Sequence, residues 1–136
     1  MDIKKLSLAA AAGGVTLFIL GAVFYLGLLE SFFNEAAGTS ANVYRAEPLM
    51  WAIFLGELCA AVLITYIFQR WATIKTLKGG VKGGAVIGLL IGLAINLTMY
   101  GTTTMSTLPA VLVDAAVTTI RFSLAGGVIG WLLGRE

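Results

Sequence analysis

The sequence predicts an all-α integral membrane protein: one domain, 1–136, built as a bundle of four transmembrane helices with short loops. Three observations carry that expectation. Of 136 residues, 59% are hydrophobic and only 12% charged, whereas a soluble domain carries about a quarter charged residues. Four apolar stretches, at about 6–29, 48–68, 80–101 and 108–133, each match the roughly 17–25 residues a helix needs to cross a hydrocarbon core. None alternates apolar with polar residues as a strand would, and helices satisfy their own backbone groups inside lipid.

The first stretch follows Lys4 and Lys5 and so invites reading as a secretory signal. Its apolar run is too long for a signal's core, and the small residues Ala9 to Gly14 sit at its start, where no cleavage site belongs. An uncleaved anchor is expected. The loop that follows, Glu30 to Glu47, contains Gly38-Thr39-Ser40 and ends at Pro48, which suits the first turn of the second helix. Cys59, the sole cysteine, has no partner for a disulfide and reads as a small core residue. Between the second and third stretches, Trp71, Ile74 and Leu77 alternate with Lys75, Lys78 and Lys82. That spacing fits either an amphipathic turn at the headgroups or a solvated basic loop. The last loop, Gly101 to Thr107, is uncharged and rich in hydroxyls, and the fourth helix opens near Pro109.

Orientation follows from the cations. Lys4, Lys5, Arg70, Lys75, Lys78, Lys82 and Arg135 fall at the two ends and in the middle loop, while only Arg45 lies in the other two loops. Basic loops stay in the cytoplasm, so both termini are expected inside a bacterial inner membrane. Arg70, Lys75, Lys78 and Lys82 are candidate contacts for anionic lipid. Trp51, Trp71 and Trp131, with Phe32, Phe33 and Tyr44, fall near the helix ends, where interfacial aromatics belong.

Seventeen glycines supply the packing signal. Gly80, Gly84, Gly88 and Gly92 recur every four residues on the third helix, and Gly126, Gly130 and Gly134 do so on the fourth. Such glycine-zipper stripes let backbones approach closely where lipid gives no hydrophobic drive to association. A four-residue stripe drifts by about 40° per step on a helix of 3.6 residues per turn, so a crossing pair is expected rather than a long seam. Whether the stripes pack within the chain or between subunits stays open. Gly13-Gly14 and Gly83-Gly84 open the first and third helices alike, a faint sign of an internal repeat.

Three ionisable residues lie inside the spans: Glu57 on the second helix, Asp114 and Arg121 on the fourth. Such groups are costly in lipid and usually find partners. Counting residues places Glu57 about 13 Å and Arg121 about 18 Å below the outer helix ends, within reach of each other. Asp114 lies seven residues before Arg121, on the same face and near the level of Asn96. One polar seam is expected: Asn96 and Asp114 above, Glu57 and Arg121 at mid-depth. With all three charges ionised it carries net −1, which a proton or a bound cation would neutralise.

At Leu20-Gly21-Ala22-Val23-Phe24-Tyr25, and from Val113-Asp114 through Arg121 to Ala125-Gly126-Gly127, the chain resembles a family of small four-helix prokaryotic membrane proteins of unknown function. The resemblance implies the helix count and a bacterial inner membrane, and no site. The chain has no histidine, no phosphate loop and no nucleophile beside a base, so no enzyme and no cofactor are expected. Its net charge of +2, without a basic aromatic face, offers nothing to nucleic acid. The leading expectation is a non-enzymatic packing protein, as a homo-oligomer or a small accessory subunit of a larger membrane complex. The alternative is a small transporter or channel using the Glu57, Arg121 and Asp114 seam.

Overall fold

The computed structural model describes residues 2–37 and 43–135. All regular structure among them is helical, and four helices are long and apolar enough to cross a membrane. Helix α1 spans Ile3–Gly21 and runs on into a π-helical turn, Ala22–Leu28. A short α2, Glu30–Ala37, follows. Helix α3, Met50–Tyr66, also ends in a π-helical segment, Ile67–Ala72. Helices α4, Leu77–Thr102, and α5, Leu108–Leu133, complete the chain.

The starts depend on single local residues. Asp2 caps α1 by accepting from the Lys5 N–H at 3.1 Å. Thr76 caps α4 by accepting from Gly79 N–H at 3.0 Å, and Thr107 caps α5 by accepting from Ala110 N–H at 3.3 Å. Each satisfies a donor that a helix start leaves unpaired. Pro109 sits in the first turn of α5, where its missing N–H does no harm.

Several expectations need correction. Pro48 does not open a helix; α3 begins at Met50 with Leu49 as its cap residue. The basic loop shrinks to 73–76, because the π segment carries α3 on to Ala72 and α4 begins at Leu77. Arg70, Lys78 and Lys82 therefore ride on helices, and only Lys75 is in the connection. Thr73 closes the π segment in the left-handed conformation, φ 53°. The loop after α1 contains α2, which the expected Glu30–Glu47 loop left out. Gly38-Thr39-Ser40 lie outside the described residues. Cys59 is exposed rather than in the core, because α3 turns Ala61, Ile64 and Thr65 inward and leaves its opposite face bare.

Helix α5 is the hub. It packs against α4 on one side and against α1 on the other, and α1 in turn packs against α3. On α5 thirteen residues are buried, against five on α1, three on α3 and four on α4, so α5 alone is covered on most of its circumference. Ala9 and Leu17 of α1, Ala61, Ile64 and Phe68 of the second span, and Phe122, Ala125, Ile129 and Leu133 of α5 form one apolar core. Most of them lie in the half of the bundle that carries the basic connection, with Leu17 and Ala61 near mid-depth.

Antiparallel α4 and α5 meet backbone to backbone. A Cβ on Gly80 would collide with the Gly126 carbonyl, one on Gly84 with the Phe122 carbonyl, and one on Gly130 with the Thr76 carbonyl. On Gly88 it would lie 2.6 Å from Phe122 Cβ and 2.8 Å from the Thr118 carbonyl, and on Gly92 3.3 Å from Ala115. Gly134 reaches the Lys75 carbonyl at the seam's end. Thr76 to Gly92 stay in contact with Gly130 to Ala115, so the expected short crossing is instead a long seam. Both helices repeat their small residues every four positions, and two helices that wrap about one another keep such a stripe in register despite its drift. The stripes are thus used inside the chain. The Gly13-Gly14 pair is less uniform: Gly13 faces the Ile129 side chain, while Gly14 faces Leu58, whose Cα would lie 3.3 Å from an added Cβ.

Candidate functional site: a polar chain beneath a pocket

Arg121 sits midway along α5 and is buried, with only 6% of its surface exposed. Its Nη2 donates to Glu57 Oε1 of α3 in a close ion pair, and to the Leu17 carbonyl of α1 at 3.1 Å. Gly21 leaves room for the second bond. A helical side chain covers the turn N-terminal to its own Cα, so a residue at 21 would cover the carbonyl at 17. Its Cβ would stand 3.3 Å from Arg121 Nη2 and 3.5 Å from Glu57 Oε1. Arg121 Nε is buried without a hydrogen-bond partner. A guanidinium stays charged in any protein setting, so this neighbourhood must supply its counter-charge, and Glu57 does.

Asp114, two turns closer to the start of α5, is held from both sides. Tyr25 Oη donates to Oδ1 at 2.5 Å, and Asn96 Nδ2 of α4 donates to Oδ2 at 2.6 Å. The same Asn96 nitrogen also reaches the Gly92 carbonyl at 2.8 Å. Tyr25 lies in the π-helical turn of the first span, and its ring faces Arg121, with Cζ 5.5 Å from the ring centroid. A cation over an aromatic face is attracted by the ring quadrupole. The phenol thus touches both ends: its hydroxyl holds Asp114 and its face meets Arg121.

All four expected seam residues, Glu57, Asn96, Asp114 and Arg121, take part in this chain, but in two cells rather than one. Glu57 and Arg121 form the deeper cell, Asn96 and Asp114 the shallower, and Tyr25 joins them. Tyr25 and the Leu17 carbonyl were not foreseen. Tyr25 had a readable signal, since it and Asp114 both lie within two turns of a helix end on the same side of the bundle. No side-chain pattern marks a backbone carbonyl.

Above Asp114 a pocket of about 410 Å³ opens between the spans and α2. Asp114, Asn96 and Tyr25 form its floor; Phe33, Asn34 and Ala37 of α2 wall it; Glu30, Tyr44, Thr103 and Ser106 stand around it. It lies in the half of the bundle away from the apolar core. A separate slot of about 140 Å³ between α1 and α3 ends on Glu57, beside Phe18, Gly21 and Ile53. A group of three acidic or cysteine ligands that could hold a metal ion does not occur among the described residues. Arg70, Lys75, Lys78 and Lys82 are all exposed at the opposite end.

Comparison with models of known families, with curated proteins and with solved structures gives no match to this chain.

Proposed function

We propose that this protein is a small solute transporter whose binding site is the pocket above Asp114. One observation carries the reading: Asp114 belongs both to the pocket floor and, through Tyr25, to the buried Arg121–Glu57 pair. A group that meets solute on one side and a paired intramembrane charge on the other can transmit occupancy to the bundle. The pocket's size falls in the range of about 300–1,000 Å³ common to small-molecule sites. Intramembrane charges of this kind mark solute and proton pathways.

A thermal-shift screen of small solutes on the full chain in neutral detergent tests it. Solutes that stabilise the protein should lose that effect in Asp114→Asn, and proteoliposomes should accumulate them. Stabilisation indifferent to Asp114, or none by any solute, would overturn the reading.

A second reading, a homo-oligomer or an accessory subunit of a larger membrane complex, rests on α3. There Gly56 has nothing within 4 Å of where its Cβ would be, and Cys59 beside it is exposed, so a face of small residues is left for another helix. Gly56→Leu should shorten the complex seen by size in mild detergent if that face is occupied. The bacterial inner membrane, with both termini cytoplasmic and Arg70, Lys75, Lys78 and Lys82 near anionic headgroups, is the matching placement. It rests on the cation asymmetry and on the resemblance to small four-helix prokaryotic membrane proteins. With Cys59 replaced, an impermeant thiol reagent on intact cells should label a cysteine at Thr104 and spare one at Lys78.

A further inference from the structure

We propose that the ligand of the Asp114 pocket is a small organic cation, an amine or quaternary ammonium. The inference rests on the transporter reading above and names its substrate class.

Charge comes first. Two carboxylates border the pocket, Asp114 on the floor and Glu30 near the rim, and no lysine or arginine lines it among the described residues. Arg121 does not offset Asp114, since its charge is already matched by Glu57 behind the Tyr25 ring. Asp114 therefore faces the pocket as the unmatched charge of the chain. Its two oxygens are fixed by Tyr25 and Asn96, which orients the carboxylate without neutralising it. Arg45 lines a separate, broader cleft that shares Tyr25, Glu30, Asn34 and Tyr44, and does not line this pocket.

The walls argue for an organic cation over a bare metal ion. Tyr25, Phe33 and Tyr44 contribute three rings, and the Tyr25 and Phe33 rings lie 5.4 Å apart, tilted by 43°, so that they form a corner. Rings around a carboxylate suit an alkylammonium, whose diffuse charge sits on aromatic faces. A hard metal ion would call for several oxygen ligands at short range, and the space here is far larger than such an ion. An anion would meet two carboxylates. A neutral solute would gain nothing from Asp114.

The test uses choline and its uncharged carbon analogue, 3,3-dimethyl-1-butanol, with acetate as the anionic control. Each is titrated by calorimetry into the full chain in maltoside detergent, which has neither choline headgroups nor charge. Choline should bind at least about tenfold more tightly than the analogue, a gap of the size expected of a desolvated cation on aromatic faces. Asp114→Asn should abolish that preference, and Tyr44→Ala should weaken choline while leaving the fold intact. Equal binding of choline and the analogue, or tighter binding of acetate, with Asp114 still required, would overturn the cation assignment and leave the transporter reading standing. Binding of none of the three would overturn the cation assignment; binding unaffected by Asp114→Asn would overturn both.

Discussion

The two sides of α5 are held by opposite means. Toward α4 it presents Ala115, Thr118, Phe122, Gly126 and Gly130, and glycine meets backbone along the whole seam. Toward α1 and α3 it adds to the apolar core residues Ala125 and Ile129 the contacts of Arg121, with an ion pair, a carbonyl bond and an aromatic face. The first contact is close but not directional, since a small-residue seam gains by dispersion between closely approaching backbones. The second is directional and fixes both depth and rotation. One helix thus takes its closeness from one neighbour and its position from the others, and the pocket-facing carboxylate of Asp114 lies where the two kinds of contact meet: Asn96 comes from the glycine side, Tyr25 from the charged side.

Substitutions can break this contrast, and the largest effect is expected at the charged side. Arg121→Met should destabilise the bundle by about 3–5 kcal/mol, the usual cost of leaving one partner of a buried pair alone. Adding Glu57→Gln should restore much of the loss, as read by thermal unfolding in detergent. Additive losses would show that the pair does not couple and would remove the directional half of the contrast.

On the glycine side, Gly84→Ala should cost about 1–3 kcal/mol by overpacking, because its new methyl meets the Phe122 carbonyl and the Gly126 backbone, which cannot step aside. Gly13→Ala is the control. It also meets a crowded neighbour, but Ile129 Cδ1 at 2.5 Å and Cγ1 at 2.7 Å are side-chain rather than backbone atoms, so the loss should be smaller. Equal losses at the two positions would mean that backbone contact is not what the α4–α5 seam depends on.

A smaller effect is expected where the two sides join. Tyr25→Phe keeps the ring over Arg121 and removes the donor to Asp114, which should cost about 1.5 kcal/mol, the low end for a hydrogen bond to a charged group, because the carboxylate also faces the open pocket. An unchanged unfolding temperature would separate the pocket from the buried pair. Smallest of all is Gly56→Ala, on the bare face of α3, expected within about 0.5 kcal/mol of the parent as at any unencumbered surface. A clear change there, above all in the size of the detergent complex, would sharpen the case for a partner helix.

Span count was legible because it depends on composition alone. The caps Asp2, Thr76 and Thr107 act within one turn of themselves, but a lone polar residue before an apolar run does not announce itself, and the first three spans start two or three residues away from the expected places. The pairing of Glu57 with Arg121 was legible for a different reason, since opposite charges at matched depth in lipid have few other partners. What escaped reading depends on how helices face. The four-residue stripe shows that α4 packs tightly, yet only the structure shows that α5 is its partner and that the contact is long. Cys59 looks like core in an apolar run, because a lipid-facing side and a buried side share one composition. The π-helical turns, which carry Tyr25 toward α5 and extend α3 past Phe68, have no side-chain signature. The pocket wall has no such signal, because the eight residues of α2 are too few and too mixed to stand out from a loop.

The partners of Arg121 stand 64 and 104 positions before it in the chain. A ribosome therefore delivers Leu17 first, Glu57 next and the guanidinium last. The order matters because the two charges differ in what they can do alone. A carboxyl can enter lipid neutral by holding a proton, whereas a guanidinium keeps its charge. Synthesis in this direction sends ahead the member that can wait and brings the one that cannot wait to an acid already in place. A circular permutant that placed α5 ahead of α1 and α3 would reverse that sequence and expose Arg121 to the bilayer unaccompanied.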